Sequence, residues 1–194
     1  MGALTQAESA QRRDAILSAA EELLREGSAD AMTISAVARE AAVAKGSIYT
    51  YFASKNELLF ALRERFLEGM LTSLESVIGR LGKEDFVSVA SDVVESLIDY
   101  QFEHRALATA LLEDRTRAGL GAVADEKLQQ MLANGIRVGQ AAGVFRPTDP
   151  WITAGLVLHG VAGVVRDALR QADDAERELL VDNTLSFVVA ALRA

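Results

Sequence analysis

Apolar residues recur every three or four positions along almost the whole chain, a spacing that indicates helices with one buried face. In residues 8–26 the apolar positions are Ala15, Ile16, Ala19, Ala20, Leu23 and Leu24. No segment shows the strict alternation of apolar and polar residues that a half-buried strand would have. The pattern therefore predicts an all-α protein with about nine helices.

Polar caps and turn residues divide this pattern into elements. Two short helices are predicted at residues 34–40 and 45–51, with Thr33 as the cap of the first one. Ser54 and Glu57 have the spacing of a capping box: we expect Ser54 to accept from the Glu57 N–H and Glu57 to reach back to Ser54. This box opens a long helix that ends near residue 81. The remaining helices are predicted at residues 85–103, 104–115, 123–142, 150–171 and 175–193.

Composition excludes several classes of protein. Half of the 194 residues are hydrophobic and a quarter are charged, the balance of an ordinary globular protein. The chain has no cysteine, so a disulfide framework, a thiolate nucleophile and a cysteine-based metal site are ruled out. Neither His104 nor His159 has a second ligand at metal-binding spacing, and no set of residues has the pattern of a catalytic triad. We therefore expect no catalytic residue, no metal, no cofactor and no enzyme activity.

The charge distribution bears on the partners of the protein. The formal net charge is -8, but acidic and basic residues nearly balance over residues 1–55. An acidic chain does not bind nucleic acid indiscriminately, although the N-terminal part can still offer a local basic face. The most apolar stretch, residues 151–165, contains His159 and several glycines, and we interpret it as a buried helix rather than a membrane span. We expect a cytoplasmic protein that does not bind membranes.

The segment KGSIYTYF, residues 45–52, concentrates polar aromatics and small hydroxyl residues in this acidic chain. In a helix, Ile48 and Phe52 share one face and would pack on the preceding short helix, while Gly46 and Thr50 point the opposite way. The positions that flank this second face are Ser47, Tyr49 and Tyr51. Small groups let a helix enter the major groove, and phenols at the margins reach phosphates. Two short helices after a longer one, with this outer face, predict a helix-turn-helix DNA reader.

At these residues the chain resembles a known family. The stretch TISAVAREAAVAKGSIYTYFASKNELL, preceded by RRDAILSAAEELLREGSADAMT, is similar to the DNA-binding domain of TetR/AcrR-type transcriptional regulators over about residues 11–60. The resemblance implies a helix-turn-helix domain in residues 1–55 and a ligand-binding and dimerisation domain in residues 56–194. It implies phosphate contacts from Thr33, Ser47, Tyr49, Tyr51 and Lys55. It implies base-edge contacts from Ser35, Gly46 and Thr50.

Three positions near the turn affect the expected affinity of this segment for DNA. Lys45 places a cation beside the start of the second short helix, where the helix dipole also favours an anion. The chain departs from the family at Ala42, where glycine is usual, and at Ala44, where serine is frequent. Ala42 would be strained if the turn needs a positive φ. Ala44 removes a side-chain cap and one phosphate donor.

The resemblance also implies a homodimer that binds a small apolar or amphipathic effector in its C-terminal bundle. The residues that we expect near this effector are Phe66, Met70, Phe102 and Met131, for which an ordinary core role is the alternative. The residues that we expect in the dimer interface, formed by the last two helices, are Gly155, His159, Gly160, Gly163, Leu185, Val188, Val189 and Leu192. Structural core remains the alternative for these residues as well.

The sequence thus predicts a homodimeric, ligand-responsive transcriptional regulator, and a repressor in particular. Two recognition helices would enter successive major grooves of a pseudo-palindromic double-stranded operator, about 34–36 Å apart. Effector binding would favour a dimer whose spacing no longer fits DNA. The alternative is an all-α ligand carrier or enzyme whose N-terminal helices do not bind DNA.

Overall fold

The computed structural model describes residues 5–26, 32–81, 85–113, 123–171 and 174–193. Within these ranges the regular structure is helical, apart from isolated bridge residues such as the pair Phe145 and Arg193. The helices are α1 (Gln6–Glu26), α2 (Ile34–Glu40), α3 (Lys45–Tyr51), α4 (Lys55–Ile78), α5 (Phe86–Glu103), α6 (Arg105–Glu113), α7 (Val123–Ala141), α8 (Pro150–Gln171) and α9 (Asp174–Leu192). The predicted fold class and the predicted number of helices are confirmed for the described part of the chain.

The caps explain why the predicted and observed bounds nearly agree. Asp85 accepts a hydrogen bond from the Ser88 N–H at 2.9 Å and starts α5. Asp149 accepts from the Ile152 N–H at 2.9 Å, directly before the proline that opens α8. The largest difference is at α4, which ends at Ile78 rather than near residue 81.

The described residues form two compact units. The first contains the chain up to Phe66 together with α6 from Ala106 onwards. In it α2 packs on α1 and α3 packs on α2. Its largest fully buried side chains are Ile16, Leu24, Met32, Val37, Ile48, Phe52, Leu58 and Leu62. The apolar stripe predicted for α1 was wrong at Ala15, which is exposed. It also missed Leu17, which is buried. The buried face of α1 is therefore wider than one narrow stripe.

The second unit contains the remainder of α4, α5, α7, α8 and α9. Helix α8 packs mainly on α7, and α5 packs on both α8 and α9. The connection between α7 and α8 is tied to the end of α9, because the Arg146 N–H donates to the Leu192 carbonyl at 2.8 Å. At the start of α9 the Arg177 Nε donates to Asp99 of α5 at 2.8 Å. The last helix is thus attached at both ends to the body of its own unit.

Helix α8 corrects one expectation from the sequence. By length and composition alone, Pro150–Leu169 is apolar enough to cross a membrane, yet only 28% of that window is buried. The interpretation of this stretch as a buried helix is therefore right only for its inner face. Its outer face exposes Ile152 and Leu156. Trp151, at the start of the same stretch, is 38% exposed.

Ala42, in the turn between α2 and α3, gives the first testable prediction. Its φ is 52°, and a left-handed backbone costs a residue with a Cβ about 1–2 kcal/mol. We expect Ala42→Gly to raise the free energy of opening of α2 and α3 by about 0.5–1 kcal/mol, after allowance for the entropy that glycine adds to the unfolded chain. Amide hydrogen exchange across the two helices measures this change.

Ala41 provides the matched control, because its φ is -75° and needs no glycine. Ala41→Gly should lower the same free energy by about 0.5–1 kcal/mol. If both substitutions destabilise the two helices equally, the left-handed turn carries no strain.

Candidate nucleic-acid interface

The turn between α2 and α3 is a helix stop built around Ala42. The Val43 N–H donates to the Ala38 carbonyl at 2.9 Å, and the Ala42 N–H donates to the Arg39 carbonyl at 3.2 Å. This pair of bonds is the Schellman motif, in which the left-handed position is usually glycine. The structure thus confirms that Ala42 occupies a position with φ above zero. The hydrogen bonds keep the turn closed in spite of that strain.

The start of each short helix follows from its cap. Thr33 caps α2 by accepting from the Ala36 N–H at 3.1 Å, as predicted. Ala44 precedes α3 in an extended conformation and makes no side-chain cap, also as predicted. The Ser47 N–H donates instead to the Ala44 carbonyl at 2.8 Å. Helix α3 therefore depends for its position on packing rather than on a cap.

That packing gives α3 two different faces. Ile48 is fully buried and Phe52 is 1% exposed, and both belong to the same core as Val37 of α2. Tyr49 is half exposed, and Thr50 also faces solvent. Of the other predicted contact residues, Thr33, Ser35, Lys45 and Gly46 are exposed, whereas Ser47, Tyr51 and Lys55 are half-buried. The outer face is thus a set of small groups with a phenol beside them, which suits groove entry.

The first turn of α4 differs in one respect from the predicted capping box. Ser54 Oγ accepts from the Glu57 N–H at 3.2 Å, as expected. The Glu57 carboxylate, however, accepts from the Ala53 N–H at 2.6 Å and not from that of Ser54. The chain bends before the helix, and this bend brings the amide one residue earlier within reach. A carboxylate therefore already lies at this helix end, where it interacts favourably with the helix dipole.

Residues 16–62, which run from α1 through the turn and α3 into α4, match the sequence model of a protein family, the bacterial regulatory proteins of the tetR family. Helices α2 and α3, with the two-faced α3, lie inside this match. The chain belongs to the TetR family of transcriptional regulators. It is therefore a DNA-binding regulator and not an enzyme.

Relatives and solved structures support this assignment along the chain. The uncharacterized HTH-type transcriptional regulator YvdT of Bacillus subtilis is 40% identical over 88 residues, which are 45% of this chain and 42% of YvdT. YhgD, an uncharacterized HTH-type transcriptional regulator of the same organism, is 25% identical over 96% of this chain and 99% of its own. A TetR transcription regulator from Haloarcula marismortui superposes with a TM-score of 0.77 at 26% identity, over 95% of this chain and all of that one.

The effector residues predicted for this TetR-family protein do not line a small apolar cavity in the second unit. Phe66 and Met70 are buried and Phe102 and Met131 are half-buried. The cavity has a volume of about 60 Å³, and none of these four residues lines it. Its wall includes Ile78, Leu81, Phe86, Val89, Val93, Val94, Gly135, Phe145, Val188 and Leu192. A cavity depends on the spacing between helices, which apolar periodicity does not encode, so the sequence offered no signal for this set.

The predicted dimer residues divide between the inside and the outside of the second unit. Gly155, Val188 and Leu192 are buried within the unit, and Leu185 and Val189 are half-buried. His159 and Gly160 are exposed, and Gly163 is half-buried. The large apolar residues that are exposed on these two helices are Trp151, Ile152, Leu156 and Val164 on α8 and Leu179 and Phe187 on α9. On α8 they lie at helical spacing from His159 and Gly160, so the sequence did contain a signal for this face.

Gly46 gives a prediction that separates folding from DNA binding. A Cβ at this position would meet no atom within 4 Å, so Gly46→Ala fits the chain's own structure. Because alanine favours a helix over glycine by about 1 kcal/mol, the variant should be at least as stable as the wild type. Against a duplex, the added methyl group would hold α3 away from the base edges. We expect DNA affinity to fall by about tenfold or more, measured by fluorescence anisotropy.

Ala44→Ser is the control, since a serine cap should stabilise α3 by about 1 kcal/mol without adding an atom at Gly46. It should bind DNA at least as well as the wild type. Unchanged affinity of Gly46→Ala would show that this position does not approach the duplex.

Proposed function

We propose that this TetR-family protein is a homodimeric repressor, released from a pseudo-palindromic operator by a small apolar effector. In this proposal residues 1–55 bind DNA, residues 56–194 bind the effector and form the dimer, and the protein works in the cytoplasm. The observation that carries the proposal is the apolar outer face of α8 and α9. Operator occupancy by a dimer represses by exclusion and needs no further contact, which makes repression the simplest mode of regulation.

The outer face of α8 and α9, defined by Ile152, Leu156, Val164, Leu179 and Phe187, is too apolar for a solvated surface. These side chains are between 44% and 70% exposed in the single chain. Large apolar side chains that cluster on a surface mark a site of association. A second copy of the chain offers the same apolar face, and a two-fold axis lets each patch cover the other.

Two glycines on this face support close approach of a partner helix. A Cβ added to Gly160 or Gly163 would meet no atom within 4 Å, so the chain's own packing does not require glycine there. By contrast, a Cβ at Gly155 would lie 2.8 Å from the Gln129 side chain of α7, and that glycine serves packing within the unit. Because Gly160 and Gly163 have no side chain, they instead allow the backbone of α8 from a second copy of the chain to come near.

A two-fold dimer presents two copies of α3. Such pairs of recognition helices enter successive major grooves about 34–36 Å apart, which makes the operator pseudo-palindromic. The excess negative charge of residues 56–194 weakens attraction to phosphates in general. Affinity for DNA then depends on the outer faces of the two α3 helices of the dimer. This dependence favours specific sites over other DNA.

The cavity of the second unit supports an apolar effector. Its lining is made of aliphatic and aromatic side chains and glycine. Its volume of about 60 Å³ is less than half of the roughly 150 Å³ that holds benzene in an engineered cavity. An effector larger than a few atoms would fit this cavity only in a conformation with wider helix spacing. Differential affinity for that conformation is what allows an effector to shift the dimer away from its DNA-binding state.

The dimer predicts the effect of a charge on the outer face. Leu156→Glu and Phe187→Glu should each convert the protein to a monomer, because a carboxylate would have to be buried without a partner. Sedimentation velocity measures the change in mass, and circular dichroism confirms that helices remain.

Val138→Glu is the matched control, since Val138 is 45% exposed but belongs to α7 and not to α8 or α9. It should behave as the wild type does. A dimer that survives both Leu156→Glu and Phe187→Glu would rule out this interface.

A substitution that fills the cavity should abolish the response of the protein to its effector. Ala90→Leu places a larger side chain in the cavity wall and should leave operator binding unchanged. We expect compounds that raise the melting temperature of the wild type, found by screening alkanols and substituted benzenes, to have no such effect on this variant. Ala141→Leu, at an exposed position of α7, is the control and should respond normally. Equal shifts for Ala90→Leu and the wild type would place the effector elsewhere.

A further inference from the structure

Arg13 of α1 lies against the end of the recognition helix. Its guanidinium carbon is 5.1 Å from the centre of the Phe52 ring. Phe52 directly follows the last residue of α3 and is 1% exposed, so its ring is held rigidly by the core. Arg13 itself is exposed. The ring is thus a fixed platform that keeps a cation beside the C-terminal end of α3.

Three other arginines of the first unit have acidic neighbours. Arg65 lies 3.3 Å from Asp14 and 3.5 Å from Glu21, and Arg25 pairs with Glu22. Arg12, the neighbour of Arg13, faces Glu8: hydrogen bonds from Thr5 hold the pKa of Glu8 below its usual value, with a smaller contribution from the charge of Arg12.

Among the described residues Arg13 has no carboxylate partner. No acidic side chain among these residues neutralises its charge.

Stacking on a ring occupies the face of a guanidinium and leaves the N–H groups at its edge free to donate. Those in-plane N–H groups match two oxygens of one phosphate. In helix-turn-helix complexes the N-terminal part of the recognition helix contacts base edges, and neighbouring elements cross the backbone. The C-terminal end of α3, with Tyr51 and Phe52, then lies towards a phosphate wall of the groove.

We propose that Arg13 is a further phosphate contact of the operator complex, positioned for it by the Phe52 ring. This inference rests on the proposed DNA-facing side of α3. It adds α1 to α2, α3 and α4 as an element that touches the duplex. The contact increases affinity for all sequences and does not select among them.

The test compares Arg13→Ala with Arg12→Ala, which removes the same charge from the neighbouring position of the same helix. The probe is a duplex that the wild-type protein selects from a random-sequence library, and anisotropy gives its affinity across a series of NaCl concentrations. Loss of one phosphate contact per subunit should reduce the slope of log K against log salt by about 1.8 per dimer, with an affinity loss of about tenfold. Arg12→Ala should keep a nearly wild-type slope.

Arg13→Lys refines the test, because it keeps the charge and loses the planar stacking. It should retain most of the salt slope and bind less tightly than the wild type. A wild-type slope for Arg13→Ala, or an equal loss for both alanine variants, would overturn the proposal and leave Arg13 a packing or surface-charge residue. If the wild-type protein selects no duplex at all, the DNA-facing assignment of α3 fails first; if Gly46→Ala loses binding and Arg13→Ala does not, only the Arg13 contact is wrong.

Discussion

The burial of Ile48 and Phe52 is the constraint on which the proposed DNA-binding surface depends. These two side chains anchor α3 in the core of the first unit. Their burial fixes which face of the helix is exposed to solvent. Helix α3 has seven residues and no side-chain cap, so it is too short to be stable by itself. Its outer groups, Tyr49 and Thr50 among them, are therefore positioned by apolar packing on the opposite side. The polar surface that we propose for DNA recognition is thus positioned by buried apolar side chains.

Ala42 shows that the packing of Ile48 and Phe52 outweighs the backbone preference of a single turn residue. A residue with a Cβ occupies the left-handed position of the turn, and the hydrogen bonds of the Schellman motif still form around it. Burial of Ile48 and Phe52 contributes about 1.5–3 kcal/mol for each side chain, which exceeds the strain of about 1–2 kcal/mol at Ala42. The packing of α3 thus holds the turn in its strained conformation. The same packing explains why α3 tolerates the missing cap at Ala44.

The sequence predicted the helices and both faces of α3, because caps and apolar periodicity are local features. Asp85, Asp149 and Thr33 mark helix starts through bonds to amides three residues away, and such bonds need no tertiary knowledge. The sequence did not separate the two apolar sides of α9. Leu179 and Phe187 face outward while Val188 faces inward, and all three are simply apolar in the sequence. Which side is covered depends on α5 and α8, and that is decided by packing between distant segments.

Two surfaces of this TetR-family protein thus remain for partners: the outer face of α3, and the outer face of α8 and α9. In the proposed dimer a two-fold axis relates both surfaces to their copies, and hydroxyl-radical footprinting of the wild-type protein on its selected duplex tests that symmetry most directly. We expect two protected patches on one side of the duplex, with centres about 34–36 Å apart and related by the symmetry of the sequence. A single protected patch, or patches without that symmetry, would contradict the proposed dimer.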